Sequence, residues 1–360
     1  MFNSITPYNN LPLLPPPNTD IETKEILKEC IKARAALAEL KQAGRLIPNQ
    51  SILINSIPLL EAQSSSEIEN IVTTQDKLFR FANDNIDKAD LTTKETLYYR
   101  TALYKGCELL KRKPLCTSSA IEIMQILRQT SEVIRKMPGT ALINSKTGGV
   151  IYTPPCGENV IREKLGNWEK FINTSNEIDP LIILSIIHYQ FEAIHPFSDA
   201  NGRTGRILNI LFLIQENLLE TPVLFLSRFI NNTRNEYYSK LHNVTLKNEW
   251  EEWILYMLKG IYETSVWTKN KIDEINLLFN DIKAVVQIKL PKIYSRELIE
   301  VLFEQPYCRI RNIENANIAK RQTASVYLKE LVNTGILEEK DIGKEKIFIN
   351  KKLYRLLSQK

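Results

Sequence analysis

The chain has 360 residues, enough to bury at least one large hydrophobic core, and this length predicts two or three domains. Hydrophobic residues make up 43% and charged residues 25%, an ordinary balance that gives no reason to expect disorder. No apolar run is long enough for a membrane helix and no secretory leader is visible. We therefore expect a cytoplasmic protein that does not bind a membrane.

The spacing of the cysteines and the distribution of charge give further information about the kind of protein. The five cysteines are scattered and lack the CxxC spacing of a zinc or redox site. Residues 271–360 hold 17 Lys and Arg against 12 Asp and Glu, whereas the two signs balance before them. The net charge of +5 therefore comes from the last quarter of the chain.

Most of the chain has the apolar spacing of amphipathic helices. The first twenty residues are rich in Pro and Asn and predict an extended arm instead. Residues 139–155 predict a β-hairpin, because Thr, Ile and Val flank a Ser-Lys-Thr-Gly-Gly turn. Helices are predicted at about 23–41, 64–82, 92–112, 117–135, 158–174, 180–194, 204–216, 234–246 and 250–285.

The stretch HPFSDANGRTGR, residues 195–206, concentrates reactive side chains between two predicted helices. The start of the second helix offers unpaired N–H groups and partial positive charge, a site suited to phosphates. Arg203 and Arg206 can add bidentate contacts to phosphate oxygens. Asp199 fits better as a ligand of Mg²⁺, and His195 is then the candidate general base. A structural role for one histidine before a proline is the commoner alternative, but the coincidence within twelve residues favours chemistry.

His188 and Glu192 lie near His195 on one helical face, as metal ligands do. The helix is crowded with apolar neighbours and has no third histidine nearby. We therefore expect His188 to belong to the core or to support the site indirectly.

The stretch resembles the signature of the Fic family, H-P-F-x-[D/E]-G-N-G-R-x-x-R, with Ala200 where the family has Gly. Alanine at this position would be costly if the backbone needs a positive φ. The sequences FEAIHPF, LSRFINNTRNEYYSKL and WEEWILYML extend the resemblance over roughly residues 90–265, and PYNNLPLLPPP resembles a common bacterial arrangement.

The resemblance implies transfer of AMP from ATP to a hydroxyl of Tyr, Ser or Thr on a protein target, or on the chain itself. His195 would deprotonate the hydroxyl, Asp199 would hold Mg²⁺, and Arg206 would bind the γ-phosphate. The pair Tyr237 and Tyr238 would lie near the nucleotide base, although each could equally be core. The remaining nucleotide-binding residues that it implies are Ala200, Asn201, Gly202, Arg203, Thr204 and Gly205.

Two further segments acquire roles from the resemblance. In the family the hairpin is a flap that aligns the target, and Val150, Ile151 and Tyr152 are its candidate strand; an ordinary surface hairpin is the alternative. Ser65, Glu69 and Asn70 fit the inhibitory pattern [S/T]-x-x-x-E-[G/N]. Alone they would be read as a helix start. Beside the signature they predict that Glu69 pairs with Arg206 and blocks the γ-phosphate site.

The tail resembles a winged helix-turn-helix, with Ala324, Tyr327, Leu328 and Leu331 facing inward. Its basic side chains could contact DNA, although such modules also dock proteins or form dimers. The candidate DNA-contacting side chains are the basic Lys320, Arg321 and Lys329 and the neutral Gln322.

We therefore expect a mainly α fold, consisting of a helical core with a β-hairpin flap and a small α+β winged-helix domain. The expected division is an N-terminal arm and inhibitory segment over 1–90, a catalytic core over 91–265, a helical linker over 266–290 and the winged helix over 291–360. The predicted function is an autoinhibited protein adenylyltransferase that uses ATP and Mg²⁺, with a homodimer as one expected assembly. The alternatives are a DNA-binding regulator whose core senses or modifies a partner, and a related kinase or an enzyme that removes AMP.

Overall fold

The computed structural model describes residues 2–47, 49–82, 86–137, 141–143, 148–175, 177–342 and 345–359. Helices dominate these ranges. The α-helices are α1 (Lys24–Leu46), α2 (Gln50–Ile68), α3 (Gln75–Phe81), α4 (Leu91–Leu110), α5 (Thr117–Arg128), α6 (Glu158–Thr174), α7 (Pro180–Ile194), α8 (Asn201–Gln215), α9 (Leu226–Asn232), α10 (Arg234–Lys247), α11 (Trp250–Lys289), α12 (Arg296–Glu304), α13 (Ile310–Asn315), α14 (Arg321–Asn333) and α15 (Lys351–Ser358). A 3₁₀ turn spans Ile86–Lys88. Within the described ranges, no helix combines the length and apolar composition needed to cross a membrane.

Two small antiparallel sheets interrupt the helices. The first pairs β1 (Leu142–Ile143) with β2 (Val150–Tyr152), as the predicted hairpin requires. Residues 145–147 of the predicted turn over 145–149 lie outside the described residues. The second sheet has the order β3-β5-β4, formed by β3 (Tyr307–Cys308), β4 (Glu338–Ile342) and β5 (Glu345–Ile349).

Helix α7 is the centre of the core, because nearly all of its side chains are buried. Helices α6, α8 and α11 pack around it, and α1 lies along α11. The N-terminal arm crosses this core without regular structure, as predicted. Lys164 of α6 donates to the Leu11 carbonyl at 2.7 Å, and Gln190 of α7 donates to the Pro12 carbonyl at 2.8 Å.

The predicted helix over 64–82 is wrong, because the segment contains the end of one helix and the whole of another. Helix α2 begins at Gln50 and continues through Pro58, and its last residue is Ile68. Asn70 has a left-handed backbone with φ of 61°, which stops the helix, and Thr74 caps α3 through a bond from the Lys77 N–H. Local serine and acidic residues therefore mark a helix end here rather than a start.

Three other boundaries differ from the expectations. Helix α5 ends at Arg128 rather than 135, because Gln129 adopts φ of 49°. Helix α8 begins three residues before the predicted 204, and the short α9 is absent from the sequence prediction. The helix predicted over 250–285 extends to Lys289, so the predicted helical linker over 266–290 is the continuation of α11, and one face of it, including Ile272 and Phe279, is buried.

The C-terminal domain comprises α12 to α15 and the second sheet. Ala324, Leu328 and Leu331 of α14 are buried, as predicted, and Tyr327 is partly buried. This domain packs directly on the N-terminal helices: Arg309 donates to the Arg80 carbonyl at 2.8 Å, and the Tyr307 hydroxyl donates to Asp76. The four polar side chains predicted to contact DNA, Lys320, Arg321, Gln322 and Lys329, are exposed.

Candidate active site

His195 follows the last residue of the buried helix α7. Its N–H donates to the Phe191 carbonyl at 3.0 Å, and its backbone is left-handed with φ of 49°. Pro196 cannot supply the next N–H, so the helix has to end here. The His195 side chain is therefore presented at the end of a rigid, buried element.

Arg135 holds the His195 loop from the other side. Its Nε donates to the His195 carbonyl at 2.8 Å, and its guanidinium also reaches the carbonyls of Ile194 and Pro155. Its own N–H donates to the Pro196 carbonyl at 3.0 Å. Burial, followed by the positive charge of Arg135, lowers the pKa of His195 to about 4. His195 is therefore neutral at physiological pH, the state that a general base requires.

The loop between His195 and α8 is fixed by Asn201. Its side chain accepts a bond from the Phe197 N–H and donates to the Phe197 carbonyl, both at 2.9 Å. Both polar atoms of this amide are therefore engaged within the loop. No side chain caps the start of α8, so its first N–H groups, including those of Gly202 and Arg203, point toward any anion bound there.

Ala200 occupies the position where a glycine would be unstrained. Its backbone is left-handed, with φ of 63° and ψ of 19°. This conformation costs about 1 kcal/mol in a residue with a Cβ atom. The backbone at Ala200 therefore does have the positive φ that makes an alanine costly here. The fold tolerates this cost at the start of α8.

Arg203 and Asp199 differ in exposure. Arg203 is buried and forms an ion pair with Glu95 of α4 at 3.2 Å. Asp199 is half exposed at the mouth of the loop, where it forms an ion pair with Arg128 at 2.7 Å. Within the described ranges, no group of three or more acidic, His or Cys side chains could hold a metal ion by itself. A single carboxylate fits Mg²⁺ that is held mainly by nucleotide phosphates.

Arg206 is the point where α2 meets α8. Its Nε donates to the Ser65 hydroxyl at 2.8 Å and its second amino group donates to the Ser65 carbonyl at 2.9 Å. The same amino group donates to Glu69 Oε1 at 2.7 Å. Burial disfavours the charged form of Arg206, but the carboxylate of Glu69 more than offsets this, so the pKa of Arg206 is raised. The structure thus has the Glu69–Arg206 contact that the sequence predicts, and Asn70 ends the helix beside it.

Two glycines at the start of α8, Gly202 and Gly205, make room for carboxylates. A methyl group at Gly202 would collide with the Glu69 carboxylate. One at Gly205 would lie 2.5 Å from Glu192 Oε1, which has no hydrogen-bond partner among the described residues. Burial raises the pKa of Glu192 to about 7. Thr204 is also buried here, on the first turn of α8.

Tyr237 and Tyr238 have different environments. Tyr237 is buried, and its hydroxyl lies 3.0 Å from His188 Nε2. His188 is itself buried, and desolvation lowers its pKa to about 3, so it belongs to the core as expected. Tyr238 is 43% exposed and is the member of the pair that a ligand can reach.

The hairpin is attached to the same loop. The Tyr152 hydroxyl donates to the Ala193 carbonyl at 2.8 Å, two residues before His195. Tyr152 is buried, so its side chain is structural, whereas Val150 and Ile151 are partly exposed. The hairpin strand is therefore fixed relative to His195.

The sequence matches models of known protein families over the regions that form this site. Residues 27–108 match the model described as Fic/DOC family N-terminal, and residues 114–213 match the Fic/DOC family model. The chain belongs to the Fic/DOC family. Residues 278–353 of this Fic/DOC protein match the model described as protein adenylyltransferase SoFic-like, C-terminal domain.

Curated relatives of this Fic/DOC chain are partial or distant matches. A probable protein adenylyltransferase of Aquifex aeolicus is 27% identical over 210 residues, which is 55% of this chain and 57% of the relative. Protein adenylyltransferase fic-1 of Caenorhabditis elegans is 35% identical over 97 residues, or 26% of this chain and 18% of the relative. The chain thus spans 57% of the length of the first relative and 18% of the second.

Solved structures share the fold of this Fic/DOC chain. A Fic family protein from Desulfovibrio desulfuricans superposes with a TM-score of 0.56 at 17% identity, covering 93% of this chain and 98% of the other. Fic-1 from C. elegans superposes with a TM-score of 0.52 at 18% identity, covering 70% and 74%.

Several residues of the site carry no local signal in the sequence. Arg135 lies in a segment that the apolar period assigns to a helix, and only the fold brings it to His195. Glu95 and Arg128 reach the motif from α4 and α5. Glu61 is buried on α2 and accepts bonds from the Ser227 N–H and the Tyr99 hydroxyl, both at 2.9 Å. An acidic residue within an apolar run was the only available hint of this anchor.

Proposed function

We propose that this chain is a protein adenylyltransferase that transfers AMP from ATP to a hydroxyl group of a protein. The observation that carries the proposal is the convergence of a neutral His195, the uncapped start of α8 and Arg206 within residues 195–206. A base, an anion site and a phosphate-binding cation are the groups that nucleotidyl transfer needs. The names of the partial relatives support the same reaction.

His195 accepts the proton of a Tyr, Ser or Thr hydroxyl of the target. The resulting oxygen attacks the α-phosphorus of ATP, the bond to the β-phosphate oxygen breaks, and pyrophosphate leaves. The N–H groups at the start of α8, with Arg203 and Arg206, stabilise the negative charge on the phosphates. Val150 and Ile151 align the target beside His195 by strand pairing, and Tyr238 contacts the base of the nucleotide.

Asp199 is the residue that would hold Mg²⁺ together with the nucleotide phosphates. The bound cation supplies charge neutralisation on the phosphates. Arg128 would have to release Asp199, because a carboxylate that is paired at 2.7 Å with a cation is a weaker ligand.

Glu69 controls the reaction by occupying Arg206. While Glu69 and Ser65 hold the guanidinium, the γ-phosphate lacks its cation and ATP binds in an unproductive pose. The chain is therefore autoinhibited at rest in the cytoplasm. Self-modification, assembly into a homodimer and removal of AMP assisted by Glu69 belong to the same proposal.

The test is incorporation of label from ATP that carries it at either the α or the γ phosphate. We expect α label on protein in Glu69→Gly, less in wild type, and none in Glu69→Gly with His195→Ala. Incorporation of γ label alone would identify a kinase-like orientation and refute AMP transfer.

A second candidate function is DNA binding by the C-terminal domain, and the exposed basic side chains on α14 favour it. Affinity that falls steeply with salt, and that drops in Lys320→Gln with Arg321→Gln, would support this function. A Lys28→Gln variant on α1 is the matched control. No binding at low salt would leave the domain as a protein-docking module.

A further inference from the structure

A second cavity lies behind the inhibitory helix, apart from the loop of His195. Its volume is about 50 Å³, and its walls come from α2, α9, α11 and the end of α15. It therefore lies where the N-terminal segment, the core and the C-terminal domain meet. The residues that line it include Gln63, Glu67, Arg228, Asn231 and Trp267.

Helix α2 contacts Arg206 and this cavity with opposite faces. Glu61, Ser65 and Glu69 are four residues apart and share the face toward Arg206. Gln63 and Glu67, also four apart, project about 160° away from that stripe and line the cavity. A ligand in the cavity would thus contact the helix that carries Glu69 without contacting the motif.

Arg228 is an unpaired cation in the cavity wall. Its guanidinium lies 4.8 Å from the centre of the Trp267 ring, and among the described residues it has no hydrogen-bond or ion-pair partner. Its Nε is fully buried. Lys271, 5.5 Å from the same ring, is paired with Glu274 at 3.1 Å and with the Leu356 carbonyl at 3.0 Å. Glu263 is a nearby negative charge, but it forms no ion pair with Arg228 among the described residues, so the buried Nε still calls for an acceptor.

The other groups in the wall define the acceptor. A site of this volume holds about four waters or one small molecule of four or five heavy atoms. Glu67 also faces the cavity, with its carboxylate bound by Gln63 and Asn231 at 3.1 Å each. A second negative charge nearby disfavours a dianion such as phosphate, and a planar guanidinium matches a carboxylate.

We propose that this cavity binds a small monocarboxylate through Arg228. The bound carboxylate links α2 to α9 and α11, and therefore stabilises the helix in the position that places Glu69 on Arg206. This regulatory consequence rests on the proposed AMP transfer, whereas the binding itself does not.

Binding is tested by titrating the full chain with sodium acetate at constant ionic strength, with sodium chloride as the balancing salt, and following tryptophan fluorescence. Trp267 lies against Arg228, so we expect a saturable change in wild type and in Arg206→Gln. The change should be lost in Arg228→Gln and in Trp267→Phe, and partly retained in Arg228→Lys. A saturable change that persists in Arg228→Gln, or no change in wild type, overturns the proposal.

A glycine titration tests whether the ligand's other end contacts Glu67. An ammonium group beside Glu67 should make glycine bind more tightly than acetate in wild type, and Glu67→Gln should abolish that advantage. Equal binding of both compounds supports the simple carboxylate site.

The regulatory consequence has its own readout. Acetate should lower incorporation of α label in wild type but not in Arg228→Gln. Acetate that binds through Arg228 without changing incorporation would contradict the coupling alone, whereas loss of all α label in Glu69→Gly would contradict the proposed reaction.

Discussion

The loop that carries His195 and the end of α2 that carries Glu69 meet on Arg206, but they are held differently. The loop is fixed on several sides, by Arg135, by both atoms of the Asn201 amide and by Tyr152 of the hairpin. Glu69 lies just past the last residue of α2, its side chain is 34% exposed, and its carboxylate is held through Arg206. The geometry of the His195 loop is thus built into the core, whereas the proposed inhibition is a docked contact at a helix end.

The largest expected effect tests how firmly the loop is fixed. Arg135→Met leaves four carbonyls without their donor, so we expect a loss of about 3 kcal/mol in the free energy of unfolding, measured with urea. Arg162→Met, on an exposed pair with Glu158, is the control and should cost less than about 1 kcal/mol. Equal losses in both variants would mean that Arg135 does not hold the loop.

The pH profile of AMP incorporation tests the environment of His195. With a pKa of about 4, His195 should remain neutral at pH 5, so the rate at saturating ATP should stay near its plateau in Glu69→Gln. A histidine with its ordinary pKa of about 6.5 would lose roughly 30-fold in neutral form at that pH. Because Arg135 contributes to the lowering, the acid limb should move upward in Arg135→Met. An acid limb already near 6.5 in the parent would contradict the assigned environment.

Glu61, which anchors α2 to α9 and α4, tests whether the position of Glu69 depends on the packing of its helix. Glu61 is fully buried, and burial raises its pKa even though Ser227 and Tyr99 donate to it. Glu61→Gln leaves one acceptor oxygen for three donors, the Ser227 N–H and the hydroxyls of Ser227 and Tyr99, and this should cost about 2 kcal/mol of stability. It should also raise AMP incorporation, because the helix that carries Glu69 is loosened. Loss of stability with unchanged incorporation would show that docking of Glu69 does not depend on this anchor.

The smallest effect concerns the loop itself. Ala200→Gly relieves a left-handed alanine and should raise the free energy of unfolding by about 0.5–1 kcal/mol. Ala102→Gly, in the helical interior of α4, is the opposite control and should lower it by about 1 kcal/mol or more. A loss of stability in Ala200→Gly would mean that the alanine methyl group packs favourably enough to offset its backbone.

The sequence predicts the helix bounds around the His195 loop better than the end of α2 that carries Glu69. Helices α6 and α7 have the predicted bounds, because the Asp179–Pro180 start and the Pro196 stop are local signals. The end of α2 does not, since a left-handed Asn70 stops the helix within a run of helix-forming residues. Arg135, Glu61 and Glu192 act through contacts that are distant in sequence or through burial, and neither can be read from local spacing.

The most direct test of control by the Glu69–Arg206 contact compares Glu69→Gln with Glu67→Gln in the rate of AMP incorporation from α-labelled ATP. Both are single charge removals near the end of α2, but only Glu69 contacts Arg206, whereas Glu67 is bound by Gln63 and Asn231. Loss of one charge-assisted bond should raise the rate about 10- to 100-fold in Glu69→Gln and leave Glu67→Gln close to wild type. Equal rates in wild type and Glu69→Gln would contradict control by the Glu69–Arg206 contact.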